Sequence, residues 1–303
     1  MSMLVPAKLR FSLYLVNKGR NVGGKMADDF IIVAGNRSLS DNSKQLRLEK
    51  LHKSQLNNRN DPLELLTPNL CKERYRFLPD TIESLLNVIG DDLQSHTKRS
   101  FAISPLLQLL TVLRFLACGT FYNVVGDTVR VSKSTVCRII RRVCRSICYK
   151  LWHLVAFPDA NCRRDIKEEF EEIAGMPNVL GCVDGTFIRV KKPALNTSEF
   201  ICRKGFPALN VQIFAGPDYK IHDSIVKWPG ATNDARMFRQ SDLKHKLASS
   251  TMGCVLGDSA YALTSYCLTP YANPADRNQM QFNKAHRCTQ VTVEQTIGIL
   301  KSR

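Results

Sequence analysis

The 303-residue chain carries 43 Lys and Arg against 27 Asp and Glu, a formal charge of +16, and is long enough for two domains that each bury a core. That surplus favours a polyanionic partner, because each phosphate neutralised by a Lys or Arg releases condensed counterions. A membrane is disfavoured: no apolar run reaches the roughly eighteen residues that a spanning helix needs, and neither terminus carries a lipidation motif.

Residues 1–70 are expected to form a mobile leader. The first 25 are basic and lack acids, with an apolar stretch at 9–16 but no small-residue cleavage pattern of a secretory signal. Residues 36–69 are polar and charged with scattered leucines, a composition that buries little and carries no catalytic group.

From 79 to 155 the apolar spacing is helical, and residues 71–157 are read as an all-helical domain. The segments are DTIESLLNVIGDDL, SPLLQLLTVLRFLACG, the short FYNVVGDTVRV, and SKSTVCRIIRRVCRSICYKLWHLV. Asp80 and Ser104 are the expected N-caps, and Pro105 sits where the first turn tolerates it. The last two segments fit a helix-turn-helix, with the turn at Val131 and Ser132. Lys133, Ser134 and Thr135 open the second helix, while Val136, Ile139, Ile140 and Val143 face a core. Arg138, Arg141, Arg142 and Arg145 are left on exposed flanks with no acid among them, as a phosphate backbone would reward. The plainer alternative is the solvated face of an ordinary helical bundle.

After Pro158 one more amphipathic helix (IKEEFEEIAG) leads to a change of period. VLGCVDGTFIRV, ALNVQIFAG and KIHDSIVKW are short, rich in Val and Ile, and separated by Gly, Pro and Asn, as strands are. A helix over about 233–247, a strand at 254–257 and a final helix over about 291–303 complete an α/β domain spanning 158–303. The eleven cysteines form no C-x-x-C pair, and Cys137, Cys144 and Cys148 share one helical face, so free thiols are expected.

Three acidic motifs stand out in this domain. Asp184 lies inside an apolar strand, where a lone carboxylate is costly to bury unless paired or metal-bound. Asp258 follows the strand CVLG at its carboxyl end, where open α/β sheets place functional groups. Glu294 lies on the last helix, with Val291, Ile297 and Leu300 on its packing side. Phosphodiester cleavage needs an activated water on one side of phosphorus and a stabilised leaving oxygen on the other, and divalent ions held by carboxylates supply both. Taken singly, each motif has a structural reading: a hairpin turn at Asp184-Gly185, a helix cap at Asp258, a solvated helical residue at Glu294. Surface solvation is likewise the plain reading of Lys191, Lys192, Arg203 and Lys204, and packing that of Trp228. The six histidines show no H-x-x-H or H-E-x-x-H spacing, which disfavours a zinc hydrolase.

Taken in order, VDGT at Asp184, WPGATNDARMF at Asp234, VLGDSAY at Asp258 with LTPY at 268–271, FNKAH at 282–286 and VEQTIGILKSR at Glu294 resemble the PIF/Harbinger transposases and the domesticated nucleases derived from them. The resemblance runs over about 77–303. It implies an RNase H-like catalytic domain behind a DNA-binding helical region, with Asp184, Asp258 and Glu294 as a catalytic, metal-binding triad. Asp234 is an additional metal-ligand candidate, and the metal is Mg²⁺ or Mn²⁺. It further implies DNA as substrate, nuclear function and, for some members, a Myb/SANT-like DNA-binding partner; cytoplasmic residence beside the nuclear one and a homo-oligomer are separate expectations. Asn233 and Phe187 stand where the family often has His, and Val291 where an Arg commonly precedes the Glu. The family usually continues through further helices after this Glu, so the nuclease domain is expected to be truncated at Arg303. A catalytically silent DNA-binding protein that keeps the transposase fold is the alternative, and an RNA-processing nuclease of the same fold a third.

Overall fold

The computed structural model describes residues 66–95, 102–193, 197–249 and 252–302. The expected leader falls outside these residues up to position 65. The chain divides into two compact units, one ending at Trp152 and one beginning at His153. Among the described residues no helix is long and apolar enough to cross a membrane, and all eleven cysteines are free thiols.

The first unit is helical: α1 (Pro68–Tyr75), α2 (Pro79–Leu93), α3 (Pro105–Cys118), α4 (Tyr122–Val129) and α5 (Lys133–Lys150). The apolar stripes of three helices meet in its core, through Ile82, Leu85 and Ile89 of α2, Leu109, Val112 and Leu113 of α3, and Val136, Ile140 and Val143 of α5. Ser104 caps α3 as expected, accepting from the Leu107 N–H at 3.2 Å. Asp80 does not cap α2: the cap position is Leu78, with Pro79 in the first turn, and Asp80 lies inside the helix. Proline at the first helical position shifts the start by two residues, and an acid in the first turn still suits the helix dipole. Between α4 and α5 the chain turns at Arg130, whose backbone is left-handed (φ 53°), and Ser132 caps α5.

The second unit is mixed α/β. It contains α6 (Ala160–Ala174), β1 (Val179–Arg189), α7 (Thr197–Phe200), β2 (Ala208–Ala215), β3 (Ile221–Pro229), α8 (Asp234–Arg239), α9 (Asp242–Ala248), β4 (Cys254–Gly257), β5 (Cys267–Leu268) and α10 (Arg277–Lys301). The sheet order is β3-β2-β1-β4-β5. β1, β2 and β3 are antiparallel neighbours, whereas β4 runs parallel to β1 and β5 parallel to β4. Residue alternation along β1 divides its neighbours. Cys182 faces α10, its Sγ donating to the Thr289 carbonyl at 3.4 Å. Val183 faces the opposite core with Phe214, Phe238, Leu243, Leu247, Val255 and Tyr261.

The four expected strands all form. The helix expected over 233–247 is two helices, because Ser241 interrupts it: its Oγ donates to the Phe238 carbonyl at 2.6 Å and accepts from the Lys244 N–H at 2.9 Å. The final helix begins well before 291, at Arg277, capped by Asp276. Its early turns are polar and mostly exposed, so no apolar period marks them. The hairpin read at Asp184-Gly185 does not occur; both residues lie within β1.

Gly181 shows how tightly the sheet packs: a Cβ there would strike the Phe214 ring and come within 2.7 Å of the Ala215 carbonyl oxygen. Gly181→Ala should therefore destabilise the second unit by about 1–3 kcal/mol, the usual cost of overpacking, read as a lowered melting temperature.

Candidate active site

Asp184 sits half-buried on the central strand, its Oδ1 accepting from the Gly185 N–H at 2.7 Å. Pairing of Val183 with Gly257 brings Asp258, the next residue of the parallel neighbour, alongside it. There Asp258 does not cap a helix. Its Oδ1 accepts from the Ala260 N–H at 3.0 Å, an Asx turn that fixes the chain as it leaves β4. Glu294 comes from α10, which is fastened to β1 one turn earlier by Gln290, whose Nε2 donates to the Val183 carbonyl at 3.0 Å. Glu294 itself is exposed.

Asp234 opens α8 behind the cap residue Asn233, whose Oδ1 accepts from the Ala235 N–H at 2.8 Å. Asparagine thus serves as a helix cap at this position. Asp234 Oδ1 accepts from Asn210 Nδ2 at 2.8 Å, and its carboxylate occupies the space that a side chain at position 185 would fill.

These four carboxylates act on one another. Burial pushes the Asp184 carboxyl up to about 7; the Gly185 N–H opposes this, and the negative charges of Asp258, Asp234 and Glu294 add to it. Asp234 is raised too, by burial first and then by Asp258, with the Asn210 bond and the Arg203 charge pulling the other way. The charges of Asp258, Asp234 and Glu294 are therefore all felt at Asp184.

Among the described residues no group of three His, Cys, Asp or Glu side chains makes a ready metal cage. The donor set nevertheless fits a hard divalent cation. It consists of carboxylate oxygens, and Mg²⁺ takes one or two of these while keeping its own waters. The gap at Gly185 lets Asp234 approach the same strand, and a cation would relieve the repulsion that raises Asp184.

Sequence reading missed Lys301, two turns beyond Glu294 on α10. Burial and the neighbouring Lys204 lower its pKa, while Asp184 opposes them, so two lysines border the carboxylates. It also missed the buried polar residues around the site: Asn210, Gln212 and Gln290. Their signal was polar side chains at positions where the pattern calls for apolar ones. Of the other basic residues, Arg203 lies over the Phe187 ring at 5.8 Å and Arg189 over Phe206 at 4.3 Å. Trp228 is a packing residue with Lys227 and Arg236 against its ring, at 5.3 and 5.6 Å.

The other group of expected residues lies in the first unit. Lys133, Ser134, Arg138, Arg142 and Arg145 are exposed along α5. Thr135 is half-buried, its hydroxyl 2.9 Å from Ser132 Oγ and accepting from Arg138 Nη2 at 3.4 Å. Arg141 is not on an exposed flank. It is half-buried and its charge acts on the buried Tyr122, because its position on the helix turns it toward α4.

Residues 183–303, which lie within the second unit, match the DDE superfamily endonuclease family, a similarity that supports a nuclease, and so a hydrolase. Over 244 residues, 80% of this chain and 70% of each relative, it is 29% identical to the proteins named "Putative nuclease HARBI1" of Rattus norvegicus and Homo sapiens. It is also 29% identical over 214 residues to "Protein ALP1-like" of Arabidopsis thaliana, an alignment covering 65% of this chain and 52% of that one. These relatives bear out the Harbinger resemblance read from the motifs. No solved structure matches the chain.

The raised Asp184 carboxyl has a consequence for stability. A carboxyl that ionises near 7 when folded but near 4 when unfolded favours the fold below the unfolded value and loses that advantage as pH rises through the folded one. Without divalent cations, Asp184→Asn should raise the melting temperature above the wild type's at pH 8. The gain is at most about 4 kcal/mol and should disappear below about pH 4. Thermal denaturation at the two pH values in a chelator checks this.

Proposed function

We propose that this chain is a metal-dependent DNA endonuclease, built on an RNase H-like sheet and guided to DNA by the helix-turn-helix of its first unit. The convergence of Asp184, Asp234, Asp258 and Glu294 carries the reading. The sheet order β3-β2-β1-β4-β5, with three antiparallel strands followed by two parallel ones, supports the RNase H-like assignment. So does the central place of the strand that bears Asp184.

Asp184, Asp258 and Glu294 would hold the divalent cation, Mg²⁺ or Mn²⁺, with Asp234 as a further ligand. When bound, the metal supplies a water nucleophile and a Lewis acid for the leaving oxygen. The chain's own side chains do the rest. Asp184 and Asp258 are set by their strand and Asx turn, and Glu294 by the helix that Gln290 fastens to β1. Lys204, Lys301 and Arg203 border the carboxylates with positive charge, where the flanking phosphates of a nucleic acid chain would be received.

In the first unit, Lys133, Ser134, Thr135, Arg138, Arg142 and Arg145 would meet DNA through the exposed face of α5, with Arg141 supporting the helix from its partly buried position. The nucleus as place of action follows from DNA as substrate. A Myb/SANT-like DNA-binding partner is proposed from the family resemblance, and a homo-oligomer is proposed beside it.

Cleavage of labelled duplex DNA in Mg²⁺ or Mn²⁺ tests the enzyme. The wild type should cut, and Asp184→Asn and Glu294→Gln should each abolish cutting while leaving DNA binding intact. Binding without metal-dependent cutting, unchanged by either substitution, would leave the catalytically silent DNA-binding protein. DNA affinity separates the two units' roles. Arg142→Ala and Arg145→Ala should weaken binding uniformly across sequences and reduce the slope of log K against log salt by about one for each phosphate left without its arginine.

A further inference from the structure

Beyond the acids, the connection between β1 and β2 carries a basic surface whose construction the chemistry at Asp184 does not explain. Between Gly185 and Pro217 stand the cations Arg189, Lys191, Lys192, Arg203 and Lys204 and a single acid, Glu199, and all of these cations are exposed. Solvation alone would account for that much. Two of the arginines, however, are held in place.

β1 pairs with β2 without a break from Cys182 to Arg189, so Gly185, Phe187 and Arg189 follow one another on one face of the strand. At the first position the Asp234 carboxylate takes the room that a side chain on Gly185 would occupy. At the second, the half-buried Phe187 ring has the Arg203 Cζ 5.8 Å from its centroid. At the third, Arg189 itself lies over the Phe206 ring, with its Cζ at 4.3 Å. The two stacks are reciprocal: β1 supplies the ring in one and the guanidinium in the other. They lie about 7 and 13 Å along the strand from Gly185, at roughly 3.3 Å per residue.

The backbone that carries Arg203 is fixed from both sides. Cys202 and Phe206 close a three-residue hairpin loop: the Cys202 N–H donates to the Phe206 carbonyl at 3.0 Å and the Gly205 N–H to the Cys202 carbonyl at 2.8 Å. Gly205 takes the left-handed conformation (φ 78°) that such a loop uses. Below it Ile201 bridges to Pro207, and the Val190 N–H donates to the Pro207 carbonyl at 3.0 Å, which carries the β1–β2 ladder up to the loop. Phe200 and Cys202 are buried against Gly230, where a Cβ would come within 2.6 Å of the Phe200 carbonyl oxygen.

A guanidinium laid on a ring keeps its in-plane N–H groups, a fork that can grip two phosphate oxygens at once. Among the described residues neither arginine uses that fork in an ion pair, although the Arg203 charge is felt at Asp234. We infer that Arg203 and Arg189 form a phosphate track: the DNA strand leaving the scissile phosphate runs along this face of β1, and the two stacked guanidinium groups receive its backbone. This deepens the nuclease reading above and rests on it. Lys191 and Lys192 extend the positive charge past Arg189.

The test uses the full chain, with binding to duplex DNA measured at fixed Ca²⁺, which takes the same oxygen ligands, and cleavage measured in Mn²⁺. Arg189→Ala and Arg203→Ala should each weaken binding and lower the slope of log K against log salt by about one, and the double variant by about two. Each single variant's disadvantage should then shrink about threefold between 50 and 200 mM salt. Both should raise KM for DNA by more than they lower kcat. Arg189→Lys and Arg203→Lys, which keep the charge without the planar fork, should restore the slope and only part of the affinity. Arg164→Ala removes an exposed arginine of the same unit, 3.6 Å from Asp165, and should leave the slope unchanged. Slopes at Arg189 and Arg203 that match the wild type's, or fall no further than that control's, would overturn the track while a wild type that cuts keeps the nuclease reading. Lowered slopes beside a wild type that cuts in neither Mg²⁺ nor Mn²⁺ would overturn the nuclease reading and keep the track as a DNA-binding surface.

Discussion

Asp184 places a carboxylate on the central strand of a five-stranded sheet, between β2 and β4, where it is partly withdrawn from water. A carboxylate so placed is expensive to ionise, and the neighbouring acids increase the cost. The arrangement stores electrostatic repulsion, and much of the local structure serves to keep the acids together despite it. Asp234 is held by Asn210, Asp258 by the Ala260 N–H, and Asp184 by the Gly185 N–H. The bonds to Asp184 and Asp234 favour the charged form of each acid and oppose desolvation.

Helix α10 shows what that arrangement demands of the scaffold. Its sheet-facing side is unusually polar, with His286, Thr289, Gln290, Thr292 and Thr296 buried along with Val293 and Leu300. Thr289 and Thr296 return their hydroxyls to the carbonyls of Ala285 and Thr292, at 3.0 and 2.8 Å, and so need no partner on the sheet. Gln290 and His286 bond instead to the backbone of Val183 and Leu268, which ties the helix to β1 and β5. Apolar contacts alone would let the helix slide at small cost, since burial is non-directional. Directed bonds to strand carbonyls fix its rotation and height, and with them the place from which the Glu294 charge acts on Asp184.

The sequence carries the strands and the acids plainly and their supports faintly. β1 through β4 are legible because Val- and Ile-rich runs end at Gly, Pro or Asn, and Asp184, Asp258 and Glu294 are legible because each interrupts or ends an apolar pattern. The first half of α10 escapes because its turns from Arg277 are polar, and β5 because two residues hold no period. Asp80 passes for a cap because proline at the helix start moves the boundary. Arg141 passes for an exposed residue because a run of arginines on one helix does not announce which of them leans toward a neighbour. Asn210 and Gln212 are hidden for a different reason. A buried polar side chain has meaning only through its partner, and here the partners are separated by many residues and joined across strands.

The contrast between an overall basic chain and a local group of acids completes the physical picture. The chain is strongly basic overall, yet the charges of Asp234, Asp258 and Glu294 all act on the half-buried Asp184 of the central strand. α5 contributes Arg138, Arg142 and Arg145 from a helix with no acid of its own, while its Lys150 is paired with Asp92 at 3.6 Å. A diffuse positive field attracts a polyanion over about a Debye length, some 8–10 Å at physiological salt, without asking for geometry. A cluster of acids repels that same polyanion unless a cation stands between them. On the function proposed above, affinity and chemistry would thereby be separated within one molecule: basic surfaces would favour encounter with a polyanion, and the acidic site would admit a phosphate only with a cation in place.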